Sequence, residues 1–213
     1  MEQNKKKIFI IGAGGFGREL ELWLTADPSV RDFSIAGYID DNLQALDKYP
    51  SAYKILGTID GYNFEKTDFV ALSISDPTIK ETIYNRLKGK VEFYTFIAGS
   101  AIVADRNNIS EGSIICPNAI ISSNTKVGKC VTINCGTQLG HDSVIGDYTS
   151  FMASVMIAGG ATIASRVYFG SQSTLVPGRK ICNDVKITAG SVVVGNINKT
   201  GVYFGNPAKK LFD

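Results

Sequence analysis

Residues 127–145 read VGKCVTINCGTQLGHDSVI, and Val127, Ile133, Leu139 and Ile145 stand six apart in them. The same step runs outward in both directions. Every sixth residue from Ile97 to Val193 is apolar, seventeen in a row without an insertion. The position four further on is mostly small or β-branched: Ser113, Ala119, Thr125, Val131, Thr137, Ser143, Thr149, Val155 and Ala161. A helix repeats every 3.6 residues and a plain strand every two, so neither produces this register. A solenoid does. Each hexad is one short flat strand, its large residue fills the interior, and its small residue lets the chain turn a corner.

The composition narrows the function. The chain has 213 residues, a net charge of +2 and only 20% charged residues. Its longest basic run, Lys5-Lys6-Lys7, reads as a solvated, disordered N-terminus, so a nucleic-acid binder is not expected. No apolar stretch approaches a membrane span, and the basic triplet runs straight into a strand rather than a signal-peptide core. No membrane insertion and a cytoplasmic location are the expectations. Cys116, Cys130, Cys135 and Cys182 show no CxxC spacing, and the chain has a single histidine. A zinc site would lack ligands, so reduced packing thiols and no metal are expected.

The first 96 residues read as a separate, small Rossmann-like α/β domain, with a solenoid domain and short tail over 97–213. A buried strand, Lys7–Ile11, precedes the glycine loop Gly12-Ala13-Gly14-Gly15-Phe16-Gly17 and a helical run from Arg18 to Thr25. A second strand, Ile35–Ile39, ends in Asp40-Asp41. A third covers Phe69–Ile74, a helix Ile79–Leu87 is opened by Asp76-Pro77, and a last strand covers Val91–Phe96. Glycines at 12, 14 and 17 permit a tight turn, close approach of a phosphate and close helix–strand packing. Two other readings stand beside phosphate binding: a purely structural turn, and a nicotinamide dinucleotide site with Asp40 on the ribose.

The period of six resembles the left-handed parallel β-helix of the hexapeptide-repeat acyltransferases, where three hexads make one triangular coil. That implies between five and six coils, with Phe151 under Phe169 and His141 under Gly159, eighteen residues apart. The short glycine-loop domain joined to such a coil resembles the bacterial sugar O/N-acetyltransferase family. Its members include UDP-4-amino-sugar and dTDP-sugar N-acetyltransferases and sialic acid O-acetyltransferases. The resemblance implies acetyl-CoA as co-substrate and a UDP- or dTDP-linked amino sugar as acceptor. Gly12, Gly14, Gly15 and Gly17 would then lie along ribose and phosphates, and Asp40 and Asp41 would meet the base.

His141 occupies the third place of its hexad, so its side chain should leave the coil. A lone histidine is often merely solvated, but its setting matches the family's His-Asp/Glu step, where histidine is the general base. Asp142 would orient it, provided the backbone turns both side chains to one side. Gly159 matches the glycine whose amide meets the acetyl carbonyl, and Asn134 matches a substrate-contacting asparagine. CoA, a polyanion, directs attention to Arg166, Arg179, Lys180, Lys186, Lys209 and Lys210. The family resemblance and the flat, weakly charged coil faces imply a homotrimer. Two departures bear on the acceptor. Ser150 stands where some amino-sugar enzymes have a second histidine, and Gly140 where they have glutamate. Sugar O-acetylation therefore remains the alternative, with an oxidoreductase or a non-catalytic trimeric scaffold more remote.

Overall fold

The structure, a computed structural model, describes residues 5–211. Nearly every hexad forms a two-residue strand on one of three parallel faces, a left-handed parallel β-helix whose sheets, with the tail strands, number eight, six and four strands. Ser150–Phe151 pairs with Tyr168–Phe169. The two phenylalanine rings stack with centroids 5.1 Å apart and planes 20° from parallel. The sixth-position residues form one continuous apolar core from Ile115 through Val193.

The corners explain why the period never slips. Asn118, Asn124, Cys130, Asp142, Tyr148, Ser154, Arg166, Gln172 and Asp184 all adopt left-handed backbone conformations, with φ between 51° and 61°. They fall on one series of sixth positions, with Gly136, Gly160, Gly178 and Gly190 taking the remaining places. Each non-glycine residue there costs roughly 1–2 kcal/mol, which the stacked ladder must offset. Buried hydroxyls assist it. Ser113, Thr125, Thr137 and Thr149 donate to the carbonyls of Gly128, Gly140, Met152 and Ala164 at 2.8–3.1 Å. Small residues at this place thus satisfy corner carbonyls as well as saving space.

The six-stranded sheet directs Ile102, Ile120, Gln138, Met156, Thr174 and Val192 outward in one uncharged row. After the last coil, Gly201–Phe204 and Lys209–Lys210 form an antiparallel pair on the end of the eight-stranded sheet.

The N-terminal half is a five-stranded parallel sheet. Its strands are β1 (Lys6–Ile11), β2 (Phe33–Ile39), β3 (Ile55–Gly57), β4 (Phe69–Leu72) and β5 (Glu92–Phe93), in the order β3-β2-β1-β4-β5. Helices α1 (Gly15–Ala26) and α2 (Pro77–Leu87) follow β1 and β4. Ile8 and Ile10 pack with Leu20 and Leu24 of α1, whereas Phe9 and Ile11 pack with Ile83 and Leu87 of α2. The helices therefore cover opposite faces, as alternation along β1 requires.

Three expectations change. Lys6 and Lys7 are part of β1, and Lys6 Nζ lies 5.2 Å from the Phe69 ring centroid, so the basic triplet does not simply solvate a loose end. Strand β3 was not foreseen, being only three residues long. The last strand stops at Phe93, because Phe96–Ile97 pairs with Ile114–Ile115 in the coil. Helix α2 opens at Asp76-Pro77 as read from the sequence, with the Asp76 carboxylate accepting from the N–H groups of Thr78 and Ile79.

The halves share their packing. Cys130 and Tyr148 join the α2-side cluster, and Phe96, Ile114 and Cys116 join the α1-side cluster. At the seam, Lys80 of α2 is only 1% exposed. Its Nζ donates to Thr132 Oγ1 at 3.0 Å and Ser150 Oγ at 2.8 Å. Burial pulls its pKa down to about 7, with Cys130 and Asp76 opposing weakly.

Candidate active site

One corner of the coil, between strands Gln138–Leu139 and Val144–Ile145, carries His141 and Asp142. Asp142 is a left-handed corner residue with φ +58°. That backbone reversal swings two sequence neighbours to the same side, the condition for a dyad. His141 Nδ1 and Asp142 Oδ2 lie 2.7 Å apart, with both side chains more than half exposed. Asn124, one coil earlier, donates from Nδ2 to Asp142 Oδ1 at 2.9 Å. These two bonds, Asn124 foremost and His141 next, hold the Asp142 carboxyl below its usual range. With a carboxylate at Nδ1, the ring keeps its proton there and presents Nε2 as an acceptor.

Gly159 lies against that nitrogen. A Cβ at Gly159 would come 2.6 Å from His141 Nε2 and 2.7 Å from Cε1, so no side chain fits beside the imidazole. Gly160 N–H bonds to the His141 carbonyl at 2.8 Å and fixes the two coils. Gly159 N–H is the corner position that the ladder skips, and among the described residues it has no acceptor. An imidazole nitrogen and a free N–H donor thus stand together at one exposed corner. Acyl transfer needs that pair, one member for the nucleophile's proton and the other for the developing oxyanion.

The glycine loop divides its labour. Gly12 has φ +98°, and a Cβ there would come 2.8 Å from Ile74 Cδ1. A Cβ on Gly17 would collide with the Gly12 carbonyl, which is the close helix–strand packing expected. Around Gly14 nothing lies within 4 Å of that position, and Gly15 meets only Arg18 Nη2 at 4.0 Å. The loop is open where a phosphate would approach. Asp40 is already engaged: Oδ2 accepts from Ala13 N–H at 2.7 Å and Oδ1 from Asn42 N–H at 2.8 Å. Asp41 Oδ1 accepts from Ile59 N–H at 2.9 Å, leaving its second oxygen without a partner among the described residues. The acidic pair therefore shapes its own loop as well as facing outward.

The remaining sequence candidates scatter. Asn134 sits on a different corner, after Thr132–Ile133, beside Cys135, which packs against the N-terminal core. It borders the uncharged coil face from the edge opposite His141. Arg179 and Lys180 are close to the His141 corner, two coils on. Arg179 stays in the ladder, its carbonyl accepting from Thr162 N–H, while its side chain curls back to the Pro177 carbonyl. Arg166 and Lys186 instead line a cleft of about 280 Å³ beside α2. Arg166 is fully occupied there: Nε and Nη2 meet Asp184 at 2.7 and 2.9 Å, and Nη1 meets Glu81 at 3.4 Å. Lys209 lies on the tail strand, with Lys210 beside it. Ser150 is completely buried under α2 against Lys80, away from His141. Asn124 was not anticipated, although its eighteen-residue offset from Asp142 was the available signal. All four cysteines are free.

Residues 7–87 match the PglD N-terminal domain family. GDP-perosamine N-acetyltransferase of Escherichia coli is 28% identical over 177 residues, which cover 79% of this chain and 77% of that protein. The chain is thus similar to the bacterial sugar acetyltransferases of hexapeptide-repeat type. Solved structures share the fold over nearly the whole chain. The acetyltransferase domain of PglB from Neisseria gonorrhoeae matches with a TM-score of 0.85 at 20% identity, over 97% of this chain and 100% of that one. PerB from Caulobacter crescentus, solved with CoA and GDP-perosamine, matches with a TM-score of 0.80 at 21% identity, over 96% of both chains. Among the described residues, no helix is long and apolar enough to cross a membrane.

Proposed function

We propose that the protein is an acetyl-CoA-dependent N-acetyltransferase acting on the amino group of a nucleotide-linked amino sugar, with His141 as general base. The observation that carries this reading is the corner itself: His141 Nε2 against Gly159, with Asp142 at Nδ1. Nε2 accepts a proton as the sugar nitrogen attacks the thioester carbon. The negative charge that develops on the thioester oxygen is met by Gly159 N–H. Asp142, fixed by Asn124, stabilises the imidazolium until the proton passes to the departing thiolate. The glycine loop and Asp41 hold the nucleotide, and Arg179 and Lys180 are the cations near enough to this corner to serve CoA phosphates.

The family resemblance implies UDP or dTDP as the nucleotide, whereas the E. coli relative is named for a GDP-linked sugar. All three therefore belong in one assay. We further propose a homotrimer packed through the uncharged face of Ile102, Ile120, Met156 and Val192, since that face runs up to the His141 corner and a neighbouring copy would turn an open corner into a groove. Four free cysteines and an acetyl-CoA donor fit a cytoplasmic location.

The test offers acetyl-CoA with 4-amino-sugars linked to GDP, UDP and dTDP, and reads products by mass. A gain of one acetyl group on an amino sugar, absent from its hydroxyl analogue, is the expected result. Acetylation of hydroxyl sugars alone would replace this reading by O-acetyl transfer.

A further inference from the structure

We propose that Arg18, packed over the Tyr49 ring, takes the phosphates of the nucleotide and makes this site select a nucleoside diphosphate over the bare nucleoside. The inference deepens the nucleotide-sugar reading above and rests on it. Helix α1 starts at Gly15 with no side-chain cap and no acidic residue in its first turn. Arg18 stands in that turn. Its Nη1 donates to the Ala13 carbonyl at 3.3 Å, and its guanidinium carbon lies 3.6 Å from the Tyr49 ring centroid. Its Nη2 hangs 4.0 Å from the point where Gly15 would carry a Cβ, over the open part of the loop. Among the described residues, no carboxylate lies within ion-pair distance of it.

An arginine on a helix surface ordinarily loses this much freedom only for a partner, because ordering its side chain costs about 2 kcal/mol of entropy. The segment that brings Tyr49 over it is itself fastened. Ser51 Oγ donates to Glu21 Oε2 at 2.6 Å, and Tyr38 O–H donates to the same oxygen. Tyr49 N–H bonds to the Leu46 carbonyl at 2.9 Å. The site is thereby polarised. Asp40 accepts from the Ala13 N–H and Arg18 donates to the Ala13 carbonyl, so carboxylates and a cation flank the two sides of the loop. A guanidinium in that setting matches phosphate oxygens.

Calorimetric titration of GDP, GMP and guanosine, and of the uridine series, tests this on wild type, Arg18→Ala, Arg18→Lys and Tyr49→Ala. Arg18→Ala should weaken the diphosphate about tenfold or more and the nucleoside less than about twofold. Lysine should restore part of the loss, and Tyr49→Ala should weaken the diphosphate less than Arg18→Ala. If Arg18→Ala does not fold, the lysine and Tyr49 variants decide by the same ratio of diphosphate to nucleoside affinity. An unchanged ratio in the variants, with wild type binding the diphosphate, overturns the role of Arg18 alone. A wild type that binds no diphosphate overturns the nucleotide reading and this inference together.

Discussion

Two corners of the same β-helix have nearly the same backbone and opposite fates. At one, Asp142 takes φ +58° and reaches back to Asn124, one coil earlier, and sideways to His141. At the other, Arg166 takes φ +58° and reaches to Asp184, one coil later, and across to Glu81 of α2. The first is open, with the His141 side chain 69% exposed. The second lies against the N-terminal half, with Lys80 and Ser150 buried nearby. The repeat supplies interchangeable corners. What packs on a corner decides whether its polar groups hold the molecule together or remain free for chemistry.

Substitutions at each corner should separate those roles. Gly159→Ala is the severest test of the open one, because its methyl group would occupy the space beside Nε2. Turnover should fall about a hundredfold or more, with the thermal midpoint close to wild type, since the corner is at the surface. A variant that loses stability and keeps activity would show that Gly159 serves only the corner.

The covered seam should answer to pH instead. Burial favours neutral Lys80 in the folded protein, with a pKa of about 7 against 10.5 when unfolded. Between these values the unfolded chain binds the extra proton, so stability rises with pH. The slope is at most about 1.4 kcal/mol per pH unit, and it vanishes below the folded pKa. Lys80→Met removes this slope. Denaturant unfolding of both proteins from pH 7 to 10 should give a wild-type advantage that grows with pH. A constant difference would mean that Lys80 is not held neutral.

Asp142→Asn gives the smallest effect. The amide keeps its contact with Asn124 but no longer stabilises imidazolium, so turnover should drop about tenfold. The loss should be modest because the carboxylate is exposed and screened. Steady-state rates suffice to measure it, and unchanged rates would reduce Asp142 to a corner residue.

The two halves also differ in how much the sequence reveals. A strict period of six made the coil legible down to the pairing of Phe151 with Phe169, because each apolar residue has one place to go. The same count brought His141 to Gly159. The α/β half was legible where glycines and apolar runs impose form, at β1, the loop and α1. It was not legible at β3, whose three residues carry no periodicity, nor in the pairing of Arg18 with Tyr49 across 31 positions. The basic residues were the least legible. Arg166 and Arg179 look alike in sequence, and only the presence of Asp184 and Glu81 distinguishes an engaged cation from one near the open corner. Asn124 lay hidden for the same reason, since an asparagine at a left-handed corner needs no function to be there.

The most direct test of the central claim is thiol release from acetyl-CoA with a saturating amino-sugar nucleotide, measured for wild type beside His141→Ala. Loss of the general base should lower turnover by about a hundredfold or more while the thermal midpoint stays that of wild type. Equal rates in the two proteins would place the chemistry elsewhere and contradict the account.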